Sequence, residues 1–374
     1  MNRPPVAIVS LSLLSTGGIE THLLQLFRGL GSEFAFTVFG LLEEPFTELA
    51  EPLGAQCVRL PRAGKADPAA LVRLRKEFLA RNIVLVHTHD TRGGAVGRLA
   101  ARAAGMPAVH TVHTPSFFLP RNPAAIGLYR LAERWLNRLA SNKVIFVSRT
   151  IRQVYLDGRL VQPGKACLVP NGLEPEWFVP VPRENRTGGE IRFLYVGRLA
   201  REKGMDNLAA AFDIVAARIP GAQLCVAGDG LERGELVRAA ERGGWTGRLT
   251  LRGRISRPEA RELMRASDVF VLPSRFESFS YTLLEAMACG LPCLATDVGG
   301  NRDLIEPERN GWLVPKDNPT ELASAMIRLA GDGNSRISMG RAGADIAREY
   351  TLERMMEGTR SVYRQVLRRP SDRS

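Results

Sequence analysis

Residues 191–218 read IRFLYVGRLAREKGMDNLAAAFDIVAAR, and they decide the fold. The opening run, IRFLYVG, has the length of a strand and is almost continuously apolar, the pattern of a parallel strand covered on both faces. A turn bearing glycine, arginine and lysine follows, and a helical period begins near Met205. Strand, glycine turn and helix form the repeating unit of doubly wound sheets. Working outward, AQLCVAGDG, RLTLRGRI, DVFVLPS and PCLATDVGG read as further strands of the same domain.

An earlier set repeats this grammar. VAIVSLSLL, FAFTVFGLL, IVLVHTH, AVHTVHT and KVIFVS read as strands, and the first turn carries Gly17 and Gly18 before the helical pattern GGIETHLLQLFRGL. The expected class is therefore α/β: two Rossmann-like, doubly wound parallel-sheet domains, 1–180 and 190–350, facing across a cleft. Between them FVPVPRENRTGGE, residues 178–190, is rich in proline, glycine and charge and lacks periodicity, which marks a hinge. The closing helix, 351–369, could pack on either domain and is assigned to the first.

Composition narrows the class. At 374 residues the chain exceeds one ordinary core and suggests on the order of two domains. An apolar fraction of 45% without low-complexity tracts describes a folded globular protein. The apolar opening flows into a glycine pair and a helix with no small-residue cleavage site, so it reads as a strand, and export is not expected. No stretch reaches the 18 or more apolar residues of a membrane span. Cys57, Cys167, Cys225, Cys289 and Cys293 are an odd, scattered set without metal-knuckle spacing, which suits reduced core thiols in a cytosol. Net charge is +12, and residues 92–165 hold twelve Lys and Arg against two Asp and Glu. Such a field favours an anionic partner: nucleic acid, an acidic membrane or a phosphorylated substrate.

Neither glycine turn is a G-x-G-x-x-G, which disfavours a nicotinamide enzyme. Arg198 and Lys203 stand before the helix start near Met205, where free N–H groups and two cations would suit a diphosphate. A solvated loop is the plainer reading of that turn taken alone. In SRFESFSYTLLEAMACGLP, residues 274–292, Glu277 falls in a turn, Ser280 is a plausible N-cap, and Glu285 lies on the helix ended by Gly290 and Pro292. Carboxylates there could accept hydrogen bonds from sugar hydroxyls and grip a vicinal diol. A sugar nucleotide presents both, joined by a diphosphate.

These residues resemble the retaining glycosyltransferases of family 4, of the glycosyl transferases group 1 type, which have the two-domain GT-B fold. The motifs that carry it are GRLAREKG, the E-x7-E pair Glu277 and Glu285, TDVGGNRDLI, GGIETHLLQL, TVHTP at 111–115 and VPNGLEPEWF at 169–178. The resemblance implies that Arg198 and Lys203 bind the donor diphosphate, that Glu277 contacts the transferred sugar, and that Glu285 holds the ribose hydroxyls. Gly17 and Gly18 would admit the phosphates, His113 would sit beside the sugar, and Arg254 and Ile255 would rest against the base. Ser278, Phe279, Ser280 and Leu284 complete the implied donor site, with His113, Arg198, Lys203 and Glu277 as the catalytic set. Ser280 and Asp303 depart from the Gly and Glu that many members carry there.

The implied activity is retaining transfer of a hexose from a UDP- or GDP-sugar to a hydroxyl, without metal or cofactor. The first domain would select the acceptor, a lipid-linked or other phosphate-bearing saccharide of glycan, polysaccharide or glycolipid biosynthesis. The expected location is cytoplasmic, peripheral on the inner face of the plasma membrane. A sugar-nucleotide epimerase or hydrolase on the same fold is the alternative enzyme. Nucleic-acid binding is disfavoured by the lack of a helix-turn-helix, aromatic sheet signature or zinc knuckle.

Two further features compete for a role. His87, His89 and Asp90 cluster at a strand end and raise a metal site, although histidines there more often bond substrate or backbone. In AAIGLYRLAERWLNRLA, residues 124–140, Arg130, Arg134 and Arg138 form one helical stripe beside Leu131, Trp135 and Leu139. The helix could lie on an anionic bilayer. The reading slightly preferred is a surface helix that packs Trp135 inward.

Overall fold

A computed structural model describes residues 3–11, 13, 17–61, 68–118, 122–178 and 190–368. Residues 179–189, nearly all of the expected hinge, lie outside them. The chain divides into two compact units, one of Met1–Gly172 with Leu352–Ser374 and one of Leu173–Thr351.

The first unit holds seven parallel strands: β1 (Pro5–Val9), β2 (Ala35–Gly40), β3 (Gln56–Arg59), β4 (Leu85–Thr88), β5 (Ala108–Val112), β6 (Lys143–Phe146) and β7 (Ala166–Leu168), in the order β3-β2-β1-β4-β5-β6-β7. The second holds six: β8 (Ile191–Val196), β9 (Ala222–Ala227), β10 (Leu249–Gly253), β11 (Val269–Leu272), β12 (Cys293–Thr296) and β13 (Gly311–Val314), in the order β10-β9-β8-β11-β12-β13. In each sheet the order reverses beside the first strand, between β1 and β4 and between β8 and β11. At such a reversal adjacent loops diverge to opposite faces and leave a crevice beyond the strand ends, where ligands of these sheets bind.

Ten of the thirteen strands among the described residues follow the apolar runs in the sequence. β3, β7 and β13 escaped that reading, and the reason is physical. β7 has only three residues, β3 is half exposed along its length, and all three lie at sheet edges, where one side meets water and the apolar signal fades.

The terminal helix Leu352–Leu367 belongs to the first unit and packs on the helix Gly18–Leu30. Met355, Met356, Val362 and Tyr363 enter the core beside Leu23, Leu26 and Phe27, each contributing roughly 1.5–3 kcal/mol through burial. Tyr363 packs edge-on to Phe34 and carries its hydroxyl to His87 Nδ1 at 2.7 Å. All five cysteines are free thiols; Cys289 and Cys293 are buried and the other three partly so.

Candidate active site

In the second unit, glycines let the loops beyond the strands approach closely. Gly204 ends the short turn Arg201–Lys203 at φ +69° and begins the helix Met205–Arg218. A Cβ there would lie 2.1 Å from the Pro273 carbonyl oxygen, just past β11. Only glycine fits both the left-handed backbone and the contact. This approach carries Lys203 Nζ to 2.6 Å from Glu277 Oε1, and the Ser274 hydroxyl donates to the same oxygen at 2.8 Å. Glu277 is buried, and a buried carboxylate is sustained by such charge-assisted bonds. Behind it, the Gly300 N–H donates to the Glu277 carbonyl at 3.0 Å, and a Cβ on Gly299 or Gly300 would come within 1.8 Å of the Glu277 or Ser278 carbonyl oxygen. The TDVGG loop thus backs the turn that presents Glu277.

Ser280 caps the helix Tyr281–Ala288 by accepting from the Leu283 N–H at 3.2 Å. Leu283 and Leu284 enter the core, and Glu285 is buried. Its partner is a residue that sequence reading missed. Arg257 donates at 2.9 Å to Glu285 Oε1 and at 2.9 Å to Glu174 Oε1, with its guanidinium 5.3 Å over the Trp177 ring. Burial pushes the Glu285 carboxyl up, Arg257 pulls it down and Glu174 pushes it up, for a net rise. Burial works against the charge on Arg257, but Glu285 and Glu174 more than offset it and lift the guanidinium above its ordinary value. The overlooked signal is SRPE, residues 256–259: Ser256 and Glu259 form a capping box that sets Arg257 in the first turn of the helix Arg257–Ala266.

The other expected donor residues are spread around this centre. Arg198 follows β8 but pairs with Glu202 at 2.8 Å, its side chain 65% exposed, so Lys203 and Arg198 contact different carboxylates. Arg254 is exposed and Ile255 half-buried in the link from β10 to Ser256. The Ser278 hydroxyl is buried without a hydrogen-bond partner, and Phe279 packs against Tyr281 and Tyr350.

Gly17, Gly18 and His113 belong to the first unit. Gly17 is the extended N-cap of the helix that Gly18 opens. His22, on that helix, holds Nδ1 3.0 Å from Asn171 Oδ1; the amide oxygen only accepts, so Nδ1 carries the proton and the buried, unpartnered Nε2 keeps its lone pair. His89 Nδ1 lies 2.9 Å from His113 Nε2. Burial depresses all five imidazoles, His22 to about 4. At neutral pH the cluster is therefore uncharged.

Of the His87, His89 and Asp90 side chains raised as a metal site, His87 and Asp90 are engaged elsewhere. His87 uses both ring nitrogens, on Tyr363 and on Thr111 Oγ1 at 2.7 Å. Asp90 caps the helix Thr91–Ala103 through the Gly93 N–H and accepts from Ser10 Oγ and Leu11 N. Among the described residues, the ring nitrogens that do converge, within 4.8 Å, are those of His22, His89 and His113. His22 was absent from the sequence-based set because it lies on a helix 67 positions before His89.

Two doubly wound units of this topology have the architecture of GT-B glycosyltransferases, and a lysine–glutamate pair and a second buried glutamate stand beyond the strand ends of one. Comparison with known proteins supports glycosyltransferase activity with nucleotide-sugar donors. The family profile "Glycosyltransferase Family 4" matches residues 16–177, and "Glycosyl transferases group 1" matches 181–345. The chain belongs to this family. It is 30% identical over 340 residues to alpha-maltose-1-phosphate synthase of Mycobacterium tuberculosis, covering 82% of this chain and 86% of that one. It is 27% identical over 315 residues to the UDP-Gal:alpha-D-GlcNAc-diphosphoundecaprenol alpha-1,3-galactosyltransferase of Escherichia coli, covering 79% of each. Anabaena HepE in complex with UDP-glucose shares the fold at a TM-score of 0.80 and 19% identity, covering 96% of this chain and 99% of that one.

Proposed function

We propose that this glycosyltransferase is retaining and metal-independent, and that it moves a hexose from a UDP- or GDP-sugar to a hydroxyl of a lipid-linked or other phosphate-bearing saccharide. The observation that carries the reading is the Lys203–Glu277–Ser274 cluster at the strand reversal of the second unit. As the bond from the anomeric carbon to phosphate breaks, the departing diphosphate takes the electron pair. Lys203 has three donors and spends one on Glu277; the others suit that developing charge, together with Arg198 and the N-terminus of the helix Met205–Arg218. Fixed cations can stabilise a leaving diphosphate without a metal ion. The acceptor oxygen would bond to the anomeric carbon on the face that the phosphate leaves, and its proton would pass to a phosphate oxygen.

Glu277 would bond the hydroxyls of the transferred sugar, with Ser278, Phe279 and Ser280 shaping that pocket over Leu284. Glu285, steadied by Arg257, would hold the ribose diol, and Arg254 and Ile255 would flank the base. Gly17, Gly18 and His113 would serve from the first unit, His113 as a neutral hydrogen-bonding group. UDP as carrier is favoured by the UDP-Gal in the name of the Escherichia coli relative and by the UDP-glucose bound to HepE. The diphosphoundecaprenol in the same name favours a lipid-linked acceptor, met at an anionic membrane surface. Free thiols suit the cytoplasmic side, and no helix among the described residues is long and apolar enough to cross a membrane.

The test is a thermal-shift panel of UDP- and GDP-sugars, followed by transfer to a saccharide with and without a polyprenyl diphosphate. The new anomeric configuration is read from proton coupling by NMR. Stabilisation by UDP-sugars, preference for the lipid-linked acceptor and an α product from an α donor are expected. An inverted product, or donor consumption that yields only free sugar or an epimer, would overturn the assignment.

A further inference from the structure

The helix Pro123–Leu139 turns an apolar stripe outward. Leu128, Leu131, Trp135 and Leu139 are 67%, 52%, 54% and 46% exposed. At 3.6 residues per turn they share an arc of about 80°. Trp135 therefore does not pack inward, as the amphipathic pattern first suggested. The side that docks on the protein is mixed: Ile126 and Tyr129 pack against the core beside Phe146 and Tyr155, while Glu133 and Asn137 are buried and bind the wholly buried Arg98, at 3.0 Å to Glu133 Oε1 and 2.7 Å to Asn137 Oδ1. A helix held only for the core would turn this stripe inward as well, rather than leave one large tryptophan and three leucines to water.

The surroundings of the stripe select what covers it. Arg134 and Arg138 are exposed along one flank. The sole carboxylate of the helix, Glu133, is buried and neutralised by Arg98. At the C-terminal end, Arg102 donates to the Leu139 carbonyl, and Lys165 donates to the carbonyls of Asn137 and Arg138 at 3.1 and 3.0 Å. The exposed face is thus apolar along its axis and cationic at its margin, with no acid of its own. A second copy docked face to face would set guanidinium against guanidinium with nothing to neutralise them. A bilayer with anionic headgroups answers both features, because acyl chains accept the apolar stripe and lipid phosphates accept the guanidinia. Tryptophan suits the boundary between the two.

We propose that the Pro123–Leu139 helix is a docking surface for an anionic membrane, with Leu128, Leu131, Trp135 and Leu139 in the acyl boundary and Arg134 and Arg138 on lipid phosphates. The inference rests on this helix alone and holds for any acceptor. It gives the acceptor assignment a physical setting, since an enzyme seated on the bilayer meets lipid-linked saccharides directly.

Vesicle sedimentation of the full chain tests it, with phosphatidylcholine vesicles compared with vesicles containing anionic phosphatidylglycerol. The Trp135 emission shift is assigned by its loss in Trp135→Phe. The wild type should bind anionic vesicles with a blue shift. Arg134→Gln with Arg138→Gln should weaken binding about 30-fold at low salt, about 5-fold per cation. Leu131→Ser with Trp135→Ser should abolish binding at any lipid charge. Donor-induced thermal stabilisation should be the same in every variant, which keeps a folding fault or a failed donor assignment apart from a failed docking surface. Equal binding to neutral and anionic vesicles, no binding, or a dimer that dissociates in Leu131→Ser/Trp135→Ser while vesicles stay unbound would each overturn the proposal.

Discussion

Arg257→Ala should destabilise the second unit by an amount that grows with pH. The guanidinium is the shared counter-ion of two buried carboxylates, at 2.9 Å from each. Removing one member of a buried ion pair costs about 3–5 kcal/mol. The Arg257 side chain is 37% exposed, and solvent screening lowers the expectation to about 2–3 kcal/mol. For a unit of this size that is a fall in melting temperature of about 5–10 °C near neutral pH. The sign of the pH dependence comes from Glu285, whose carboxyl is raised by burial and drawn down by Arg257. Without the guanidinium, the folded-state value climbs further while the unfolded-state value stays ordinary. A carboxyl raised in the folded state contributes stability that is present below its unfolded value and lost as pH rises through the folded one. The variant loses more, over a wider window. The gap between wild type and Arg257→Ala should therefore be narrow near pH 5 and widest near pH 8, read by thermal unfolding at constant ionic strength. A deficit that does not vary with pH would refute the electrostatic argument and leave packing on Trp177 as the cause.

Lys203→Ala should lower turnover by about 100- to 1,000-fold, the scale of losing one stabiliser of developing charge; steady-state kinetics that match the wild type would remove Lys203 from the reaction. Gly300→Ala would place a methyl carbon 1.8 Å from the Ser278 carbonyl oxygen. The loop must shift, at a cost of about 1–3 kcal/mol, so the donor KM should rise and the urea midpoint fall, and unchanged values for both would show that the loop does not position Glu277. Prolonged chelation should leave transfer unaffected. Activity lost to a chelator and restored by a divalent cation would instead bring His22, His89 and His113 into the mechanism as ligands.

Central strands were legible because a parallel strand buried on both faces needs an unbroken apolar run, as IRFLYVG and DVFVLPS show. Edge strands β3 and β13 carry no such demand. Turn chemistry was equally plain: Gly204 and Gly290, at φ +69° and +72°, and the Ser280 cap express local backbone needs that neighbours in the chain can satisfy. The Lys203–Glu277 contact spans 74 positions. Sequence showed that both side chains lie beyond strand ends, and only the adjacency of β8 and β11 brings them together. Arg257 was missed for the same reason: its partners, Glu174 and Glu285, are 83 and 28 residues away, and the SRPE capping box places it in a first helical turn without showing what it meets.

The Pro123–Leu139 helix shows the division most clearly. Periodicity determined that the helix has an apolar side and where that side lies. It could not determine which side the protein covers, because an amphipathic pattern records contrast around an axis and not its orientation toward a core. Long-range contacts made that choice: Ile126 and Tyr129 pack on the core, and Arg98 lies thirty-five residues before Glu133. A buried guanidinium must be matched, and it draws Glu133 and Asn137 inward. The sequence by itself determined the central strands, the turns and the family; long-range pairing of charges and packing decided which side chains meet at the site and which face is left to water.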